Sequence, residues 1–296
     1  MTLDNAQVLL AAIGVFAALF FVADKLSYRY VAVYRDFSRA EQGDWCSRVN
    51  STIHAVGIVS GLLYTLRHQK WDEDLLPLNS TATATTLFSI SCGYFLFDLY
   101  VLVRWQVPLW RVFVIHHVVA VLPYLIFTMH AGCGMDVYLL TLFLLVEFAV
   151  IPLNVTTFLE QLGYGKTRAH CCFFYATYVC WFVARVVLPL YNIYVLWMRI
   201  IPAAAEAPFC TIPAALCGHI IAAFCVGVFI FVWTPDVLAR WRVPVLQLEE
   251  YPDYKLTLRQ SITPRASPLS TSSASHPGYG SVTKSKDITW SASPIV

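Results

Sequence analysis

Two adjacent histidines, His116 and His117, lie in the apolar run RVFVIHHVVAVLPYLIF, which extends from Arg111 to Phe127. Ionisable side chains inside a membrane segment are costly, and they normally face a protein interior or a polar cavity. An imidazole whose second nitrogen is held by a carboxylate is poised as a general base or a nucleophile. Asp98 is the natural carboxylate for one of the pair. Acyl transfer from a thioester is a chemistry that such a group supports, provided that apolar helices supply a slot for the alkyl chain.

Two other interpretations of these residues stay open. His54, His116, His117 and Asp98 are all acceptable metal ligands, but adjacent helical residues point about 100° apart, so the two neighbouring histidines cannot easily share one metal. A hydrogen-bonded network is therefore favoured over a mononuclear metal site, and we expect no metal. The same side chains are also compatible with purely structural hydrogen bonds between helices.

The composition indicates the class of protein that positions these groups. The chain of 296 residues is 58% hydrophobic and only 13% charged, with a mean hydropathy of +0.62. A soluble domain is typically about a quarter charged. The net charge of +2 accompanies no nucleic-acid-binding pattern, so we expect the lipid bilayer as a partner and no nucleic acid. A homo-oligomer is compatible with this composition.

Seven apolar segments are long enough to cross a membrane, which predicts an all-α polytopic fold. Their predicted bounds are residues 5–23, 49–66, 82–103, 111–127, 135–159, 170–197 and 209–233. The first segment lacks a basic stretch before it and a small-residue cleavage site after it, so we interpret it as a retained helix rather than a signal peptide. Residues 241–296 are rich in Ser, Thr and Pro, which predicts a disordered tail.

The distribution of basic residues predicts the orientation. Lys and Arg are concentrated in the loops after the first, third and fifth segments and after the seventh, including Arg48 in the first of these loops. We therefore expect these loops and the C-terminus to be cytosolic and the N-terminus to be lumenal. Cys133 and Cys210 are then both lumenal, so a disulfide between them is compatible with their compartment.

This topology predicts a shared depth for several polar side chains. His54, His116, His117 and Asp98 are each about five residues from the cytosolic end of a segment, which is roughly 7–9 Å at the rise of an α-helix. Asn154 falls at a similar level. We expect His116, His117 and Asp98 to form the working layer, with His54 and Asn154 supporting it.

Three further ionisable residues lie deeper. Glu147 in the fifth segment and His219 in the seventh are both expected near the midplane, where a pair between them is plausible. Arg185 in the sixth segment should face inward and pair with Glu147, because a charged side chain in a membrane segment needs a partner. Glu147 and Arg185 are accordingly candidates for the support of a lipid site.

Four segments together resemble a known family. In order along the chain, these segments are FSRAEQGDWCSRVNSTIHAV, GYFLFDLYVL, FVIHHVVAVLPYLIF, and the pair LLVEFAVIPLNVTTFL and FVARVVLPLY. They are similar to segments of the TLC domain, the family to which the ceramide synthases are related. The resemblance is to the smaller branch of this family that does not include the ceramide synthases. The resemblance implies a TLC domain over residues 39–240, preceded by an N-terminal helix and cytosolic loop over 1–38. It also implies six helices ringed around a lipid-sized cavity, location in the endoplasmic reticulum or a related membrane, and a role in lipid homeostasis.

The chain also departs from the ceramide synthases. Their double histidine is followed about one helix later by a His-Asp…Asp element, whereas here that place reads VEFAV, with Glu147 as its one acidic residue. Two hypotheses remain. The first is an acyltransferase that uses acyl-CoA as a substrate, needs no firmly implied cofactor and acylates a lipid amine or hydroxyl through His116, His117 and Asp98. The second is a non-enzymatic protein for lipid binding, scaffolding or trafficking from the endoplasmic reticulum.

Overall fold

The computed structural model describes residues 3–130, 133 and 136–241. Within them, seven helices are long and apolar enough to cross a membrane, which confirms the all-α multi-pass fold. The helices are α1 (Leu3–Tyr30), α2 (Arg39–His68), α3 (Ala82–Trp105), α4 (Trp110–Met129), α5 (Val137–Gln161), α6 (Arg168–Ile200) and α7 (Pro208–Trp241). Apart from Trp241, the predicted tail lies outside the described residues.

Helices α2 to α7 form a closed ring, and α1 packs on its outside. The order around the ring is α2, α3, α4, α7, α6 and α5, after which α5 packs against α2 again. Helix α1 packs mainly against α3 and α2. Gly93 of α3 permits this close approach, because a Cβ atom there would lie 2.6 Å from the carbonyl oxygen of Leu9. The ring of six helices with the first helix outside is the arrangement that the resemblance implied.

The connection from α1 to α2 is held by specific hydrogen bonds. The Tyr34 hydroxyl donates to Asp24 at 2.6 Å, and the Trp45 indole donates to Ser27 at 2.9 Å. Burial and the bond to Asp24 both raise the pKa of Tyr34, so its phenol stays protonated and remains a donor. Ser38 and Glu41 form a reciprocal capping box at the start of α2, which satisfies backbone N–H groups that the first helical turn leaves free.

Prolines interrupt the regular hydrogen bonding of α5, α6 and α7. A proline has no N–H for the carbonyl four residues earlier, and its ring clashes with that carbonyl. The π turns Phe182–Val187, Leu196–Ile200 and Phe229–Trp233 each end two residues before a proline. In α5, the 3₁₀ turn Leu145–Ala149 likewise precedes Pro152. Two of these irregular turns carry the buried charged residues Glu147 and Arg185.

A disulfide joins the segment between α4 and α5 to the start of α7. It links Cys133 with Cys210, whose Cα atoms are 5.5 Å apart. These cysteines are the two that the sequence places in the same compartment. The other seven cysteines are free, and they all lie within the described residues.

The disulfide between Cys133 and Cys210 predicts how many thiols react with an alkylating reagent. Denatured protein should take up seven alkyl groups without a reductant, because that is the number of free cysteines, and nine after reduction, because the chain has nine cysteines. Intact mass measurement after alkylation gives the count directly. In the Cys133→Ser variant the partner thiol is released, so eight groups should be added with or without reduction; nine additions to the unreduced native chain would contradict the disulfide.

Asp136, which precedes α5, is a buried carboxylate. Asp136 is 1% exposed, and neither of its carboxylate oxygens has a hydrogen-bond partner. Burial penalises the charged form and raises the pKa of Asp136 from 3.8 to about 6. The folded protein therefore holds this proton more tightly than the unfolded chain does.

The sign of the resulting pH dependence follows from linkage. The contribution of Asp136 to stability should be greatest below about pH 4 and should be lost as the pH rises through about 6, by an amount on the order of 2–3 kcal/mol. Asp136→Asn removes the titrating group, so it should be the more stable protein at pH 7 and differ little from the native chain at pH 4. Thermal unfolding of both proteins in detergent across this range tests the prediction, and parallel pH profiles would refute it.

Candidate functional site

His117 and Asp98 form a buried pair that joins α4 to α3. The Nε2 atom of His117 is 2.9 Å from Asp98 Oδ2, and the Ser47 hydroxyl donates to Asp98 Oδ1 at 2.5 Å. The Nδ1 atom of His117 lies 2.9 Å from the carbonyl oxygen of Phe113, one turn earlier in α4. Both ring nitrogens of His117 are therefore held by acceptors, which fixes the ring and leaves neither nitrogen directed at a ligand.

His116 points in a different direction from its neighbour. Its ring packs against Phe224 of α7, with the ring centroids 5.2 Å apart. The Nδ1 atom of His116 is buried and has no hydrogen-bond partner. Buried polar atoms are nearly always hydrogen-bonded, so an unpartnered one needs an explanation. His116, unlike His117, therefore keeps a ring nitrogen without a protein partner.

His116 lines a cavity inside the helix ring. The cavity lies between α3, α4, α5 and α7, has a volume of about 50 Å³ and is open on one side. Its walls are mainly apolar, with His116 and Glu147 as the ionisable groups. A mostly apolar concavity with a few convergent polar groups is the usual form of a site for a small organic ligand.

Glu147 lies between a cation and an imidazole on neighbouring helices. Its Oε1 atom is 3.5 Å from Arg185 Nη2 in α6, and its Oε2 atom is 3.9 Å from His54 Nδ1 in α2. Both distances exceed those of good hydrogen bonds, so the carboxylate is held electrostatically and can still accept a hydrogen bond from a ligand. Arg185 also packs over the ring of Trp181 at 4.8 Å.

His54 supports this arrangement from α2. Its Nε2 atom lies 3.1 Å from the Ser91 hydroxyl. Its ring stacks on Tyr94, with centroids 3.9 Å apart and an interplanar angle of 17°. These contacts fix the ring beside Glu147, on the side away from Arg185.

The predicted pair of Glu147 and His219 is wrong, whereas the pair of Glu147 and Arg185 is present. His219 accepts a hydrogen bond from Trp197 at 3.1 Å and contacts the carbonyl oxygen of Ala215 at 2.7 Å. Trp197 is largely exposed, so His219 lies toward the outer surface of the ring. His219 and Arg185 lie at similar depths along their helices. The rotation of α6 and α7 about their own axes places Arg185, and not His219, beside Glu147.

Asn154 belongs to a second polar cluster that ties α5 to α2. Its amide nitrogen donates to Ser51 at 2.6 Å and to Thr52 at 2.9 Å, and its oxygen accepts from Arg48 at 3.1 Å. Arg48 in turn forms an ion pair with Asp44 at 2.9 Å. Asn154 is thus within reach of α2, as the depth argument predicts, but its contacts are with this cluster rather than with His116 or His117.

Arg48 corrects the sequence interpretation of the first loop. It was expected there as a cytosolic basic residue, yet it lies within α2 and is 5% exposed. An average over an apolar window does not reveal a buried charge in the first turns of a helix. The signal that could have revealed it is Asp44, four residues earlier, because opposite charges at this spacing meet on one face of a helix.

One group with metal-ligand spacing occurs among the described residues, and it lies away from the cavity. The ligating atoms of His130, Cys133 and Cys210 are all within 4.8 Å of one another. Both sulfurs are committed to the disulfide, and thiolates are the form in which cysteine binds metals. This group therefore does not form a metal site in the oxidised protein.

Comparison with known proteins gives two matches. The profile of the TLC domain matches residues 44–238. TLC domain-containing protein 4 of Xenopus tropicalis is 32% identical over 104 residues, a match that covers 32% of this chain and 38% of that relative. The alignment therefore spans well under two thirds of the relative's length. No solved structure matches this chain.

The two histidines should contribute differently to stability. We expect a double-mutant cycle of Asp98→Ala and His117→Ala to give a coupling energy of about 1–2 kcal/mol, because each variant alone leaves a buried polar partner behind. His116→Ala should cost less, since its Nδ1 has no partner to lose.

Unfolding of the purified protein in detergent measures these differences. His116→Ala combined with Asp98→Ala serves as the matched control, and the two changes should add. Additivity within about 0.5 kcal/mol for the His117 cycle would contradict the pairing.

Proposed function

The chain belongs to the TLC-domain family, and from that premise we propose that it acts in membrane lipid homeostasis by holding a lipid or acyl chain inside its helix ring. The observation that carries the proposal is the cavity between α3, α4, α5 and α7, whose walls are apolar and whose ionisable groups are His116 and Glu147. Such a lining favours a ligand with one polar end and a long apolar part.

The reaction that suits this cavity is acyl transfer from acyl-CoA. A ring nitrogen of His116 attacks the thioester carbonyl, the carbon–sulfur bond breaks, and the imidazole proton leaves with coenzyme A as its thiol. A lipid amine or hydroxyl then attacks the acyl-imidazole. Its proton passes through Glu147 to the departing ring nitrogen, which restores neutral His116. A covalent intermediate of this kind divides one difficult step into two easier ones.

His117 and Asp98 have a positioning role in this proposal. The 2.9 Å contact between their side chains ties α4 to α3, and His116, the preceding residue on α4, points about 100° away around the helix. Fixing His117 therefore fixes the direction of His116. Arg185 and His54 have the corresponding role for Glu147, because they contact both of its oxygens.

The second candidate is a lipid-binding, scaffolding or trafficking protein without catalysis. The observation in its favour is that two of the three predicted catalytic groups already have partners: His117 is held at both nitrogens, and Asp98 accepts from Ser47. Glu147, predicted to support the site, likewise lies between Arg185 and His54. The absence of a His-Asp…Asp element from VEFAV in the sequence points the same way. In that case the polar groups serve the packing of the ring, and the cavity retains a lipid.

The proposed location is the endoplasmic reticulum or a related endomembrane, with the N-terminus lumenal. Disulfides persist in oxidising compartments, so the bond between Cys133 and Cys210 supports a lumenal position for that end of the ring. The basic loops of the sequence support a cytosolic position for the opposite end. His116, early in α4, is then nearer the cytosolic side, from which acyl-CoA would enter.

Intact mass measurement after incubation with a long-chain acyl-CoA tests the acyl-transfer candidate. We expect a mass increase of one acyl group that survives denaturation and is absent from His116→Ala, because this imidazole faces the cavity. His219→Ala is the matched control, since that histidine is bonded to Trp197 instead and its removal should leave the adduct unchanged.

The other outcomes are also informative. An adduct that persists in His116→Ala would refute the assignment of the nucleophile. A native chain with no adduct but with a lipid that co-purifies, and that His116→Ala also retains, would favour the non-enzymatic candidate. A chain that holds neither acyl group nor lipid would refute the proposed function as a whole.

A further inference from the structure

A hydrogen bond across the ring closes the inner end of the cavity. The Tyr124 hydroxyl in α4 donates to the carbonyl oxygen of Leu140 in α5 at 3.1 Å. These helices are not neighbours in the ring order, so the bond crosses the interior. The ring of Tyr124 packs edge-on against Phe88, 5.3 Å away, and Phe127 packs edge-on against the same Phe88 ring at 5.2 Å. Tyr124 therefore forms a floor between the cavity and the end of the ring that carries the disulfide.

The distance from the polar end to this floor follows from helix geometry. His116 and Tyr124 both line the cavity, and they are eight residues apart on α4. At a rise of 1.5 Å per residue this separation is about 12 Å along the helix axis. A ligand whose polar end lies at His116 thus has a limited length before its apolar end meets the tyrosine ring.

The width of the cavity is set by one face of α7. Ala214, Cys217, Gly218 and Ile221 line it at the spacing of a single helical face. Gly218 lies against Phe143 of α5: a Cβ atom at this position would be 3.0 Å from the tip of that ring. The small residues on α7 leave space in the cavity, and the Phe143 ring limits its width. A branched ligand chain would have to displace the Phe143 ring.

We infer that the cavity takes a single unbranched acyl chain, with its polar end at His116 and Glu147, its length limited by Tyr124 and its width limited where Phe143 meets Gly218. This inference rests on the proposed lipid-binding function and adds the class of chain to it. A lipid with two chains would place one of them in the cavity and leave the other outside.

Competition between chain lengths tests the inference. The full-length protein is incubated in mild detergent with an equimolar mixture of straight-chain acyl-CoAs of different even lengths, together with one methyl-branched acyl-CoA. Bound species, covalent or not, are then quantified by mass spectrometry. We expect the native protein to select a narrow range of lengths and to bind the branched chain least.

Two substitutions should shift this selection in opposite directions. Ala214 lines the cavity four residues after the disulfide cysteine Cys210, which places it toward the Tyr124 end. Ala214→Leu adds bulk there, where the native residue is 4% exposed, so the preferred chain should become shorter. Tyr124→Ala removes the floor, so it should become longer. Each methylene that no longer fits should reduce relative binding about fourfold, since a buried methylene contributes about 0.8 kcal/mol.

Matched variants separate these effects from general damage. Leu216→Phe enlarges a residue of the same helix that is 62% exposed, so it should not alter the preferred length. Cys217→Leu fills the same face of α7 as Ala214→Leu and replaces it if that variant does not fold. Tyr124→Leu similarly replaces Tyr124→Ala.

Failure of the inference can be distinguished from failure of the proposed function. A native chain that binds no acyl species would overturn both. A native chain that binds acyl species, while the cavity variants keep its preferred length, would overturn the assignment of Tyr124 and α7 alone. Equal binding of the branched and straight chains would overturn the limit on width.

Discussion

The structure depends on the requirement that polar groups inside a bilayer find partners within the protein, because the hydrocarbon offers none. Helix α2 meets this requirement for much of the ring. Ser47 donates to Asp98 of α3, Arg48 donates to Asn154 of α5, and His54 lies beside Glu147 of α5. Three separate polar contacts on one helix thus fix the positions of two of its ring neighbours. The packing of apolar side chains alone would specify these positions less sharply, since lipid tails are equally apolar.

Of the two adjacent histidines, His116 is the exception to this requirement. Its neighbour on α4 has acceptors at both nitrogens, whereas His116 has a buried nitrogen without a partner. An unsatisfied buried polar group costs roughly 1–3 kcal/mol, and a fold that keeps one beside a cavity is typical of a functional position. The network around His117 makes this exception stable, because it holds α4 in the rotation that directs His116 inward.

The number of helices was predictable, and so was a contact between Asp98 and one of the adjacent histidines, but the other contacts among the polar residues were not. Long apolar runs reveal membrane helices by length alone, and residue counts from their ends place Asp98 and His117 at one depth. The rotation of each helix is harder to predict, since α4 and α7 are apolar on all sides and show no clear periodicity. Glu147 therefore had two partners at a suitable depth, His219 and Arg185. The π turn that contains Arg185 changes the direction in which the side chains of α6 point. A projection that assumes a regular α-helix does not include this change. The closed ring itself followed from the family resemblance rather than from the residue pattern.

The two ends of the cavity differ in a way that determines how a ligand must lie in it. At one end, Glu147 makes only long contacts of 3.5 and 3.9 Å, and His116 has a free nitrogen, so a polar group placed there gains partners. At the other end, the Tyr124 hydroxyl already donates to Leu140, and the surrounding side chains are aromatic or aliphatic. A ligand in the reverse orientation would bury its polar end without an available donor, at a cost of roughly 1–3 kcal/mol. The ratio of the two orientations changes about tenfold for each 1.4 kcal/mol of this cost. The difference between the two ends of the cavity therefore favours a ligand whose polar end lies beside His116.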